Sequence, residues 1–342
     1  MDTQRFDEAA EGFVGGLSMF RSLSVVAVLL AFCVVVLGSY VRLSDAGLGC
    51  PDWPGCYGAL SVPQSESAIH SAQQAFPDKP LEHAKAWKEM AHRYLAGSLG
   101  LVILGLAWLA YVNRLKIKTS WQLSVALVVL VFLQALLGMW TVTLLLKPVI
   151  VTLHLLGGMT TLALLCWIAV RNNAQPSIAL PSAQQWWLRL ALVVWFLQVM
   201  LGGWTSSNYA ALACTDFPTC HGLWWPDMDL HDAFHLTRAL GESRDGGQLH
   251  LDALTAIQWI HRLGALVVLG WGIVSVKILL QRQNARTLAW TLLLVLLLQI
   301  GVGIGNLLLQ LPLVLAVLHN AGAALLGICL VTVNARLMNT SY

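Results

Sequence analysis

Eight long apolar runs, separated by polar breaks of unequal length, organise this chain. They cover about 22–41, 91–112, 121–145, 149–170, 187–206, 256–280, 288–311 and 313–335. A helix needs roughly 20 mostly apolar residues to cross a bilayer, and every run is near that length. The pattern predicts an all-α membrane protein with eight transmembrane helices. Composition agrees, with 57% of residues hydrophobic and 11% charged, where soluble domains average about 25% charged. The first residues do not read as a cleaved signal. Asp2, Arg5, Asp7, Glu8 and Glu11 precede the first run, and no small-residue cleavage site follows it.

The charges suggest an orientation. The breaks after the second and sixth runs hold Arg114, Lys116, Lys118, Lys277, Arg282 and Arg286 without an acid among them. Arg171 and Arg189 flank the break after the fourth. Positive-inside bias then puts both termini and these breaks in the cytoplasm. The two long loops, about 43–90 and 207–255, fall on the outer side. No basic cluster suits nucleic acid, so the expected surroundings are lipid.

The halves of the chain repeat. Gly38, Cys50, Asp52, Pro54, Cys56 and Gly58 each have the same residue type 164 positions later, at Gly202, Cys214, Asp216, Pro218, Cys220 and Gly222. His92 in "HRYLAG" matches His261 in "HRLGAL", offset by 169. Gln134, Gly138 and His154 match Gln299, Gly303 and His319, offset by 165. This predicts two tandem four-helix bundles, residues 1–172 and 187–342, joined by a cytoplasmic linker over 173–186. Four crossings return each unit to its starting side, so a pseudo-two-fold axis near the membrane normal should relate them, as in other parallel duplications.

Four of the ten histidines recur this way: His92, His154, His261 and His319. Each stands near the outer start of an even-numbered run. One such residue alone reads equally well as a buried donor to a carbonyl. Ionisable groups inside membrane helices default to function, and four at matched depth point to metal ligation. Zinc usually takes four protein ligands, or three and a water. A haem brings its own ring nitrogens and leaves the protein only the axial positions, which suits paired imidazoles on separate helices. Gly97, Gly100, Gly157, Gly158, Gly264, Gly270, Gly322 and Gly327 offer close approach, although small residues also serve plain helix packing. His70, His83, His221, His231, His235 and His250 read as loop residues.

The halves differ three residues before the first histidine of each, where Glu89 stands against Gln258. That spacing shares a helix face. Glu89 reads either as an interfacial carboxylate, paired with Lys85 or Arg93, or as a proton-handling group at a reacting porphyrin. The second reading makes the first unit a substrate site and the second a cofactor site. Disulfides persist outside the cytoplasm. Cys214 and Cys220 are expected to pair as a staple; Cys50 and Cys56 either do the same or exchange thiols in turnover. Cys33, Cys166 and Cys329 read as apolar helix residues. Trp53, Tyr57, Phe217, Trp224 and Trp225 suit an interfacial lid or an ordinary aromatic belt.

"GLGCPDWPGCYG", "EMAHR", "TLHLLGG", "WIHRLGA" and "VLHNAGA" together resemble the haem A synthase family of bacteria and mitochondria, with Asp45 a departure where a small residue is expected. The resemblance implies a bacterial inner-membrane enzyme that oxidises a ring methyl of haem O to the formyl group of haem A. It implies haem b as cofactor on His261 and His319, haem O as substrate near His92 and His154, and Glu89 beside the reacting methyl. Haem O synthase and terminal-oxidase assembly factors become candidate partners. Two other readings fit the same histidines: a di-haem b-type electron-transfer cytochrome, and a haem carrier or exporter.

Overall fold

A computed structural model describes residues 3–173 and 175–337; the chain ends and linker residue 174 lie outside the described residues. Ten α-helices form: α1 Thr3–Leu43, α2 Glu66–Ala75, α3 His83–Val112, α4 Trp121–Thr143, α5 Pro148–Asn172, α6 Ser182–Ser207, α7 Leu230–Ala233, α8 Leu251–Leu280, α9 Arg286–Leu308 and α10 Leu313–Arg336. All but α2 and α7 contain a stretch long and apolar enough to cross a membrane, which makes eight candidate spans. Among the described residues the backbone otherwise pairs only in isolated bridges. This is a multi-pass, all-helical membrane fold.

Two helices begin well before their apolar runs. α3 starts at His83 rather than near 91 because "HAKAWKEM" is built of good helix formers and buries Ala86, Glu89 and Met90. α8 starts at Leu251 and buries Ala253, Thr255 and Ala256 in its first turns. Hydropathy misses these polar turns because they lie under the long loops, not in lipid. It also misses α2, whose N-terminus is capped by Ser65 Oγ accepting from the Ala68 amide at 3.3 Å. His70 therefore lies on α2, His83 opens α3 and His231 sits in α7; His221, His235 and His250, the N-cap of α8, are loop residues.

The α4–α5 and α9–α10 connections are built alike. Leu145 and Leu146 have φ of 49° and 58°, and Gln310 and Leu311 have 57° and 62°. The Leu146 amide returns to the Thr141 carbonyl at 2.8 Å, and the Leu311 amide to Asn306 at 2.6 Å. Pro148 and Pro312 then start or cap the next helix. Left-handed residues that satisfy the last carbonyls end a helix sharply, so each pair of spans folds back as a tight hairpin.

Packing within the two halves follows one pattern. α1 packs on α3 and α5, α3 on α4, and α4 on α5; α6 packs on α8 and α10, α8 on α9, and α9 on α10. Between halves, α5 meets α10 and α6, and α1 meets α10. One apolar core runs through both, including Phe20, Leu106, Leu165, Leu188, Leu292 and Leu330.

Both long loops leave the same end. There Arg42 Nη1 donates to the Tyr209 hydroxyl at 2.9 Å, and Nη2 to the Ser206 carbonyl at 3.1 Å. Asp45, the departure noted above, accepts from Tyr209 at 3.4 Å and so takes part in this cross-contact. At the opposite end the 173–186 segment is strapped down. The Ile178 amide donates to the Arg336 carbonyl at 2.7 Å, Arg336 Nε to the Pro176 carbonyl at 2.9 Å, and Asn284 to the Ser177 carbonyl at 2.6 Å. Ile178 and Leu180 are buried in the shared core.

Candidate functional site

Each of the four recurring histidines lies edge-on against a glycine of a neighbouring helix. A Cβ added at Gly38 would fall 2.8 Å from His92 Cε1, at Gly138 3.4 Å from His154, at Gly202 3.2 Å from His261, and at Gly303 2.9 Å from His319. Bare backbone on α1, α4, α6 and α9 thus sets the plane in which each ring can lie. Four of the glycines singled out from sequence do other work, while Gly97 and Gly270 face open space. A side chain at Gly157, Gly264 or Gly322 would run into a glutamine, and one at Gly327 into Trp195.

The rings of His261 and His319 face each other with centroids 6.5 Å apart, at 78°. Two metal–imidazole bonds of about 2 Å each, plus a ring radius on either side, come to roughly 6 Å. The pair therefore fits a single metal centre held from both faces. His92 and His154 lie within electrostatic reach of each other. Nδ1 of His92, His154 and His319 is shielded from solvent without a protein hydrogen-bond partner, as rings committed to an absent ligand would be. Among the described residues no three His, Cys, Asp or Glu side chains converge, so the donor sets are imidazole pairs rather than a cage. Pairs of this kind suit a haem.

Glu89 is 5% exposed. Its Oε1 pairs with Arg93 Nη2 at 2.5 Å, and its Oε2 accepts from the Cys50 amide at 2.9 Å. Lys85 pairs instead with Glu82 at 3.0 Å. Of the sequence alternatives, the Arg93 ion pair is present, and Glu89 is buried rather than interfacial. Arg93 Nη1 also donates to the carbonyls of Asp52, Pro54 and Gly55. Arg262, the residue after His261, donates to the carbonyls of Asp216, Thr219 and Cys214 at 2.8–2.9 Å. An arginine one residue beyond a histidine thus hooks each Cys loop onto its helix. Sequence reasoning overlooked this use of the two "HR" dipeptides. With Gln258 in place of the carboxylate, Arg262 turns its second nitrogen to Cys214.

Both Cys pairs are disulfides, Cys50–Cys56 and Cys214–Cys220. Each closes a small hairpin. Cys56 exchanges hydrogen bonds with Ala59, and Cys220 with Leu223. The central residues have positive φ, 55° and 76° at Tyr57 and Gly58, 53° and 74° at His221 and Gly222, as a type I′ turn requires. Asp52 accepts the Tyr57 and Gly58 amides at 2.6 and 2.7 Å; Asp216 accepts those of His221 and Gly222 at 2.8 and 2.9 Å. The Thr219 hydroxyl on Asp216, followed by these amides, holds the Asp216 carboxyl well below the usual carboxylate range. A depressed carboxyl stabilises the folded turn above its ordinary pKa of about 3.9, and that support is lost only as pH falls through the lower folded value. Protection factors of the His221 and Gly222 amides are accordingly expected to stay level from pH 7 to about 4. Asp216→Ala should lower them across that whole range, as hydrogen exchange would read. The aromatic residues split. Tyr57 is buried and donates to the Pro80 carbonyl at 3.0 Å, while Trp224 and Trp225 are 70% exposed.

Comparison with known proteins matches residues 21–331 to the family described as cytochrome oxidase assembly protein, COX15-CtaA. The chain belongs to this family. Relatives named "Heme A synthase" include one from Shewanella oneidensis, 43% identical over 90% of this chain and 93% of that one. Another, from Caulobacter vibrioides, is 30% identical over 87% of this chain and 90% of its own. The COX15-CtaA match takes in all four histidines, Glu89 and both disulfides. The group in those relatives' name is haem, and the imidazole pairs of this chain suit it.

Proposed function

We propose that this chain is an oxidoreductase that converts haem O to haem A by oxidising a ring methyl to a formyl group in successive steps. The first unit, residues 1–172, holds haem O near His92 and His154. The second, residues 187–342, holds haem b between His261 and His319. The observation that carries the reading is the His261–His319 pair, 6.5 Å apart, reproduced in residue type and glycine backing by His92 and His154. The shared packing pattern and the exchange-related contacts α1–α10 and α5–α6 support two units about a pseudo-two-fold axis. Bound haem b would supply one-electron redox chemistry.

The chain's own residues divide the remaining work. The glycine-backed imidazoles orient each macrocycle. The disulfide hairpins, hooked down by Arg93 and Arg262, cap the loop end and exclude water. Among the described residues Glu89 is the one buried carboxylate, one helical turn before His92, and it takes or gives a proton at the reacting methyl. Both termini and the linker lie in the cytoplasm of a bacterial cell and the disulfides outside its inner membrane, a reading that the basic residues at the linker end support. Haem O synthase as donor and terminal-oxidase assembly factors as acceptors fit a product made for an oxidase.

The test is chemical. Haems are extracted from membranes after co-expression with a haem O synthase and identified by mass. Haem A is expected only with the intact chain. Haem B alone, with haem O available, would favour the electron-transfer cytochrome instead.

A further inference from the structure

Three of the four histidines are followed, one turn on, by a glycine whose open side a glutamine of the neighbouring helix fills, and the fourth is not. Gln134, Gln198 and Gln299 each stand four residues before the glycine that backs a histidine, Gly138, Gly202 or Gly303. That spacing puts each amide on the same face, one turn away. Each glutamine fills the space over a second glycine, three residues beyond the histidine: Gln134 over Gly157, Gln198 over Gly264, Gln299 over Gly322. The Gln198 amide lies 3.1 Å from His261 Nδ1 and donates to the His261 carbonyl at 3.0 Å. That of Gln299 lies 3.4 Å from a His319 ring nitrogen. Gln134 locks α4 over the turn of α5 that follows His154.

At His92 both halves of the brace are missing. Val34 stands four residues before Gly38, and Leu95 stands three beyond His92. His92 Nδ1 is buried without a partner, as are those of His154 and His319, so what sets His92 apart is the missing glutamine and glycine. The polar groups nearest in sequence, Glu89 and Arg93, are committed to each other and to the hairpin. Groups that brace a ligating imidazole fix its orientation, and losing them typically costs about 10–100-fold in metal affinity.

We infer that His92 is the releasable ligand of the substrate haem and His154 the holding one. The inference rests on the assignment of this pair to haem O made above. Release on the His92 side opens one axial position of the substrate iron to a small exogenous ligand, on the face where Glu89 stands three residues away. The second unit, braced on both sides, stays closed.

The test compares His92→Ala with His154→Ala in full-length protein, co-expressed with haem O synthase and purified. His154→Ala is expected to lose haem O and haem A at least tenfold. His92→Ala should retain them and, when reduced, bind carbon monoxide at that haem. Haem b should persist in both, which reports an intact fold. Equal loss in both variants, or retention in His154→Ala alone, would overturn the inference. If neither variant loses the substrate haem, the site assignment itself falls. Installing the brace with Val34→Gln and Leu95→Gly should slow carbon monoxide binding at least tenfold and shift the haem towards low spin; unchanged binding would count against the inference.

Discussion

Replacing His261 or His319 with Ala is expected to abolish the haem b spectrum of the purified protein, with bound haem b falling more than tenfold. On the proposed assignment the two rings, with centroids 6.5 Å apart, would hold the haem between them. Among the described residues no third His, Cys, Asp or Glu joins them as a substitute. Disturbing only the groups that support a ligand costs about 10–100-fold in affinity, so removing the ligand itself should cost at least as much. The fold should survive. Arg262 keeps its three carbonyl partners on the second hairpin, and the Cys214–Cys220 disulfide is untouched. Pyridine haemochrome spectra of each variant check the result. Retention of haem b in either variant would mean that the group is held elsewhere.

Glu89→Gln should lower haem A yield about 100-fold or more while leaving haem b in place, since a positioned acid–base group contributes about 10²–10⁴-fold. The substitution is nearly isosteric, and the amide oxygen can still accept from the Cys50 amide. Arg93 loses its anionic partner yet keeps the carbonyls of Asp52 and Pro54. The rival role for Glu89 is purely mechanical, as the post that ties the first hairpin to α3. Arg93→Met separates the two. It leaves the buried carboxylate uncompensated, which costs about 3–5 kcal/mol, and frees the hairpin. If haem A yield stays at the wild-type level in Glu89→Gln, the carboxylate is an anchor and takes no part in the chemistry.

Much of this arrangement was legible in the sequence because membrane burial writes itself in hydropathy, and because matched positions expose the functional residues twice. The eight spans, the recurrence of the four histidines and the Cys214–Cys220 disulfide were readable on those grounds, while Cys50–Cys56 stayed open between a staple and a redox pair. The onset of α3 at His83 was not, because its first turns are polar and pack under a loop. The hairpin hooks Arg93 and Arg262 were in plain view, yet an arginine beside a histidine near a membrane surface has many ordinary explanations. The brace escaped for the opposite reason. Gln134 and Gln299 match each other, whereas Gln198 faces Val34, and comparing halves discards what occurs once. Only the distances from Gln198 to His261 and over Gly264 reveal three occurrences of one device. Of the glycines chosen for haem approach, Gly157, Gly264, Gly322 and Gly327 are filled by neighbouring side chains, because composition says where backbone is bare, not what lies against it.

The strap at the linker end changes what continuity of the chain means here. Ile178 and Leu180 belong to the shared core, and Pro176, Ser177 and Ile178 are bound to Asn284 and Arg336. The halves themselves meet along α5–α10, α5–α6 and α1–α10, so cutting the peptide between them is expected to release neither. Once folded, the molecule keeps its two parts together by side-chain and main-chain adhesion, and the covalent tether between them is dispensable.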